Sequence, residues 1–227
     1  MNTGSLLDFE CLEATPPQVF RSQRPYPWWT GPALRPEAWQ ALHEHLPDVE
    51  QLEAKFGKER RFGQASHDRY VLEYGQELPV HPIWHQLVEE FEGPAYQRFL
   101  ARRLRRRPVR LLYHWHYTPR GCSVSPHCDA RRKRGSHILY FNDPARWRRE
   151  WGGETCILDD EGRFSHRSSP AFEDFAHTDS ASCVGNQSLL FARRANSWHG
   201  VHPLTCPEGE LRRAFIVVFE ASWPWQR

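Results

Sequence analysis

No stretch of this chain approaches the run of about eighteen apolar residues that a membrane-spanning helix needs, so a transmembrane segment is excluded. The opening residues MNTGSLLDFE have neither a basic start nor a long apolar core, and a secretory leader is not expected. Six cysteines, at positions 11, 122, 128, 156, 183 and 206, form no CxxC pair and no dense framework, so reduced thiols are expected rather than disulfides. These absences together point to a soluble cytoplasmic protein. An excess of one charge is lacking too. Lys and Arg number 30 against 28 Asp and Glu, a formal net charge of +2, which does not by itself signal nucleic acid. There is no internal repeat and no low-complexity tract.

What the chain does have is aromatic bulk. Aromatic residues make up 13% of the 227 positions and ten are tryptophan, which argues for a folded interior. The length suits one large β domain, or one domain with an appendage. The texture changes near residue 108. Before it, residues 36–56 place Trp39, Leu42, Leu46, Val49, Leu52 and Phe56 at helical spacing, with a break expected at Pro47. Residues 82–105 do the same around a Gly93-Pro94 break, and residues 15–35 read as an irregular, proline-rich wrap. After residue 108 come short β-branched and aromatic runs, VRLLYHWHYT, SHILYF, GETCIL, SLLFA, SWHGVHPL and LRRAFIVVFEASW, separated by turn residues. The pattern predicts a mainly β fold with N-terminal helices, a sandwich or barrel-like jelly roll with the helices packed on one sheet. An N-terminal helical region (1–107) and a β domain (108–227) are expected to form one structural unit. The basic run 102–107 is expected to be a solvated helix end.

His127-Cys128-Asp129 is the first chemical signal. A strand carrying His-x-Asp points both side chains to one face. A later histidine would then complete two imidazoles and a carboxylate, leaving open positions of the kind that non-haem Fe(II) oxygenases use. Alone, the motif is close to what chance supplies among thirteen histidines and nine aspartates, and His177-Thr178-Asp179 is a second copy. Context separates the two. Behind Asp129 come Tyr140, Gly152-Gly153, Ser188-Leu189-Leu190-Phe191, His199-x-Val201-x-Pro203 and Arg212-x-Ala214, in that order.

Over residues 109–220 this ordered set resembles the Fe(II)/2-oxoglutarate-dependent dioxygenases, in their prolyl-hydroxylase-like branch. The resemblance implies a double-stranded β-helix. It implies His127, Asp129 and His199 as metal ligands, Arg212 as the partner of the distal carboxylate of 2-oxoglutarate, and Tyr140 as a hydroxyl donor to that carboxylate. His202 competes with His199 and Arg213 with Arg212; the flanking Val201, Pro203 and Ala214 favour the first of each pair. Val124 stands where the family often has tyrosine, and Asp129 argues for hydroxylation over halogenation. The implied cofactors are Fe(II), 2-oxoglutarate and O2, with ascorbate as a candidate reductant.

The expected substrate is a small molecule or amino-acid-like compound, with protein side-chain (prolyl-type) hydroxylation as the alternative. Four cations in the loop 130–135 suggest an anionic one, although a solvated loop is the plainer reading. Trp115, Trp147, Trp151 and Trp198 are read as core before pocket lining, and Cys128 as a packing residue. Two rivals from other classes are a non-oxygenase metal-binding jelly roll and a polyanion-binding module.

Overall fold

The β runs of the second half build two antiparallel sheets that face each other. They are seen in a computed structural model that describes residues 4–58, 60, 63–105 and 109–221. The strands in chain order are β1 (Trp28–Gly31), β2 (Glu53–Lys55), β3 (Arg69–Glu73), β4 (Val109–Pro119), β5 (Val124–His127), β6 (Lys133–Tyr140), β7 (Thr155–Asp159), β8 (His177–Ala181), β9 (Ser188–Ala192), β10 (Trp198–Val201) and β11 (Leu211–Ala221). The major sheet runs β1-β9-β6-β11-β4-β3-β2, and the minor sheet β5-β10-β7-β8. This is the jelly-roll arrangement expected. Strands from both sides of residue 108 share the major sheet, since β1 closes one edge and β3 and β2 the other.

Alternation along β11 sorts the two faces. Phe215, Val217 and Phe219 point outward into the large core cluster, whereas Ala214 and Ile216 point inward between the sheets. The outward face is covered by α1 (Phe9–Ala14), α2 (Pro17–Ser22), α3 (Pro36–Glu44), α4 (Pro82–Glu92) and α5 (Pro94–Leu104). Proline at the first turn starts each of the last four, where its missing N–H costs nothing. Trp84 of α4 is the keystone, in ring contact with Trp115, Phe141 and Phe215. The four tryptophans at 115, 147, 151 and 198 belong to the core clusters, as read.

Three local expectations need correction. The helix read over 36–56 stops at Glu44, before Pro47, and the chain continues as a 3-10 turn at Val49–Gln51 and then β2. Helix spacing over 52–56 was coincidental. The segment 15–35 is not irregular: it holds α2 and the edge strand β1, paired with β9 from Trp28↔Phe191 to Gly31↔Ser188. The basic helix end is only partly solvated. Arg102 pairs with Glu13, but Arg103 is buried, lies 3.9 Å over the Phe99 ring and donates to the carbonyls of Leu12 and Thr15 at 2.7 and 2.8 Å. Positions 106 and 107 lie outside the described residues. No helix among the described residues is long and apolar enough to cross a membrane.

Candidate active site

Two elements of the minor sheet bring the candidate ligands together. His199 of β10 pairs directly with His127 of β5, and their ring centroids are 4.3 Å apart. Asp129 is not on a strand with His127, as the sequence reading had it. β5 ends at His127, and Asp129 sits in the turn that leads to β6. The turn still returns its carboxylate to the same point. One donor atom from each of His127, Asp129 and His199 lies within 4.8 Å of the others, and all three residues are buried. Among the described residues this is the one such group. The competing His202 is exposed and stacks on Phe172, 3.8 Å away. The second His-x-Asp lies on β8, where Asp179 pairs with Ile157.

The donor set suits a divalent metal. His127 Nδ1 donates to the Ser125 carbonyl at 3.0 Å, and His199 Nδ1 donates to the Ser197 carbonyl at 3.0 Å. A carbonyl can only accept, so both rings carry their proton on Nδ1 and keep Nε2 as the ligating lone pair. Burial, reinforced at His127 by the neighbouring His199, pushes both imidazoles below their ordinary pKa and keeps them neutral. Burial would raise the Asp129 carboxyl, but Lys133, bonded to Oδ1 at 2.7 Å, outweighs it and holds the group ionised. Two neutral imidazoles and one carboxylate are the hard-to-borderline donors that Fe(II) accepts.

Across the interior, Arg212 of β11 is buried and lines the same cavity, which measures about 1060 Å³. Its Nε donates to the Gly153 carbonyl at 2.6 Å and its Nη2 to Thr155 Oγ1 at 3.0 Å, so the guanidinium plane is fixed. Gly153 is required there. Its φ is +100°, and an added Cβ would meet Cys183 Sγ at 2.9 Å and Arg212 Cδ at 3.3 Å. Tyr140 hydrogen-bonds Thr155 Oγ1 at 2.7 Å, and Arg212 lies 5.2 Å above its ring. The hydroxyl thus reaches the arginine through Thr155. Arg213 points to the outer face and lies over Tyr117. Ile216 also lines this cavity, and Thr155, Thr118, His116 and Ile138, which line it too, had escaped notice inside ordinary strand runs.

The loop cations behave differently from one another. Lys133 engages Asp129 and Arg132 pairs with Glu220 at 2.7 Å. Cys128 packs beside Trp198 and Phe172 on the outer side of the minor sheet, as read. His67 was missed altogether. Its ring packs edge-on against His127 at 4.6 Å, and burial, with Arg60 and Arg69 nearby, lowers its pKa to about 3.

Residues 113–220 match the family described as the 2OG-Fe(II) oxygenase superfamily. No curated protein matches the chain in sequence. Among solved structures, the fold is similar to a Pseudomonas putida prolyl-4-hydroxylase, with TM-score 0.60, 15% identity, and coverage of 86% of this chain and 92% of that one. SnoK, a non-heme alpha-ketoglutarate-dependent carbocyclase from nogalamycin biosynthesis, gives TM-score 0.61 at 12% identity, covering 92% and 85%. HygX from Streptomyces hygroscopicus, solved with nickel and 2-oxoglutarate bound, gives 0.53 at 12%, covering 86% and 83%.

Proposed function

We propose, for a chain that belongs to the 2OG-Fe(II) oxygenase superfamily through residues 113–220, that it hydroxylates a C–H bond of a small or amino-acid-like molecule. As a 2-oxoglutarate-dependent dioxygenase it uses Fe(II), 2-oxoglutarate and O2. In this reading His127, Asp129 and His199 hold the metal, and Arg212 binds the far carboxylate of 2-oxoglutarate. Tyr140 steadies that contact through Thr155. The carrying observation is the placement of the three-ligand cluster and the fixed guanidinium of Arg212 on opposite walls of one cavity.

The bound metal and cosubstrate would supply the oxidant, with 2-oxoglutarate ending as succinate and CO2. The chain's own residues do the rest. The carbonyls of Ser125 and Ser197 orient the two imidazoles. Arg212 suits a carboxylate because its planar fork stays charged when buried. The apolar walls formed by buried Ile138, Phe191 and Val201 and half-buried Ile216 limit water around the reacting centre.

The test is stoichiometric. Succinate should form in step with 2-oxoglutarate loss only when Fe(II) and O2 are both present, and turnover should rise with a productive substrate. Activity supported by zinc or manganese without 2-oxoglutarate would overturn the proposal.

A further inference from the structure

We infer that Arg69, with Arg60 beside it, binds a carboxylate of the primary substrate, so that the enzyme acts on small organic acids, amino-acid-like ones included. The inference rests on the oxygenase reading above and goes on to name what enters the cavity. Arg69, Val71 and Glu73 alternate onto the cavity face of β3, while Tyr70 and Leu72 pack toward the helices. β3 pairs Tyr70 with Tyr117, and one step further along the ladder Arg69 comes level with Thr118, the partner of Arg212. Two strand spacings separate the two arginines, roughly 10 Å on one face of the sheet. They stand as neighbours on one wall with different commitments.

Arg212 has Nε and Nη2 tied to Gly153 and Thr155. Among the described residues Arg69 uses only Nη1, which donates to the His67 carbonyl at 2.5 Å. Its Nε is buried with no hydrogen-bond partner among them. The Nε/Nη2 edge of the fork, the side-on edge that accepts a carboxylate in two parallel hydrogen bonds, is left to a ligand. Arg60 donates to His67 Nε2, and the same ring packs against His127. His67 therefore spaces both guanidinium groups off the metal cluster, as a positioning residue.

Among the other cations lining the cavity wall, Lys55 has Glu53, Lys133 has Asp129 and Arg132 has Glu220, whereas Lys58, Arg110 and Arg212 ion-pair with no described carboxylate. No carboxylate among the described residues ion-pairs with Arg60 or Arg69. A largely buried cation without a counter-ion is costly, and a ligand that brings the missing anion removes that cost. Burial also lowers the affinity of both groups for their protons, offset only in part by Asp129 near Arg60 and Asp68 near Arg69.

The experiment uses the full chain, loaded anaerobically with Fe(II) and 2-oxoglutarate and followed by its visible charge-transfer band. Free amino acids, hydroxy acids and dicarboxylic acids are titrated as probes, each beside its carboxamide, with inorganic phosphate as a further probe. At least one acid should perturb the band where its amide does not. In Arg69→Met its apparent affinity should fall about tenfold to a hundredfold, with partial recovery in Arg69→Lys. The inference is overturned if no acid perturbs the band, if acid and amide act alike, if phosphate alone acts, or if Arg69→Met responds as wild type does. Failure of the band to form at all would instead strike the oxygenase reading, so the two failures are distinguishable.

Discussion

The two sheets have the same inward and outward alternation, yet they are covered and used differently. The major sheet is thick: five helices bury its outer face, with Trp84, Phe91, Tyr96 and Phe99 packed on Trp115, Leu139 and Phe215. The minor sheet is thin, its outer face covered by a small cluster of Cys156, Leu158, Phe175 and Trp198. Arg212 rides on a strand of the thick wall, and hydrogen bonds to Gly153 and Thr155 fix its guanidinium. His127 and His199 ride on the thin one, where hydrogen bonds to the Ser125 and Ser197 carbonyls set their aim. Hydrogen bonds thus aim the side chains on both walls, while bulk packing backs only the strand that carries Arg212.

The contrast can be broken first in the core. Trp84→Ala should cost about 3–5 kcal/mol of stability, because a fully buried indole leaves a cavity that the helices cannot close. Phe172→Ala on the thin side should cost only about 1 kcal/mol. Paired denaturant titrations check this, and equal losses would erase the distinction. Next in size, His199→Ala should lower iron affinity and turnover by more than about a hundredfold, since even partners of the ligands are worth ten- to a hundredfold. Melting should change far less than in Trp84→Ala. Equilibrium dialysis against iron reads the first, and calorimetry the second.

Arg212→Met should raise the KM for 2-oxoglutarate by about ten- to a hundredfold with a smaller effect on kcat, as expected for lost ground-state binding. An unchanged KM would remove Arg212 from the cosubstrate site. The smallest effect concerns pH. His137 is buried in the thick sheet, between Tyr96 at Nδ1 and Ser188 at Nε2, and burial lowers its pKa to about 3. The unfolded chain takes up a proton below about pH 6.5 and the folded chain does not, so stability falls as pH drops from 6.5 toward 3. Between pH 6.5 and 5 this residue should account for about 1.5 kcal/mol of loss, and His137→Gln should flatten the stability–pH slope by that amount.

The same contrast governs what the sequence made legible. The long central strands announced themselves through unbroken β-branched and aromatic runs, as in LRRAFIVVFE, and Tyr140, His199 and Arg212 could be picked out because they arrive in order behind His127. The edge strands did not. β2 is only Glu53-Ala54-Lys55, and β3 lies among charged residues, so neither carries a strong period. Asp129 was chosen on a wrong picture, since a turn and not a strand face brings it beside His127 and His199. Arg60, His67 and Arg69 had no signal at all, because what distinguishes them is their place on the cavity wall, which exists only once the fold has formed. The loop cations that did stand out in sequence include Lys133 and Arg132, which are already paired.

The central claim is that the thin wall holds the metal, through His199 and not His202, opposite the arginine of the thick wall. Anaerobic titration with Fe(II) and 2-oxoglutarate tests it most directly. The account predicts a visible charge-transfer band in wild type and His202→Ala and none in His199→Ala. A band that survives in His199→Ala but vanishes in His202→Ala, or its absence from iron-loaded wild type, would contradict it.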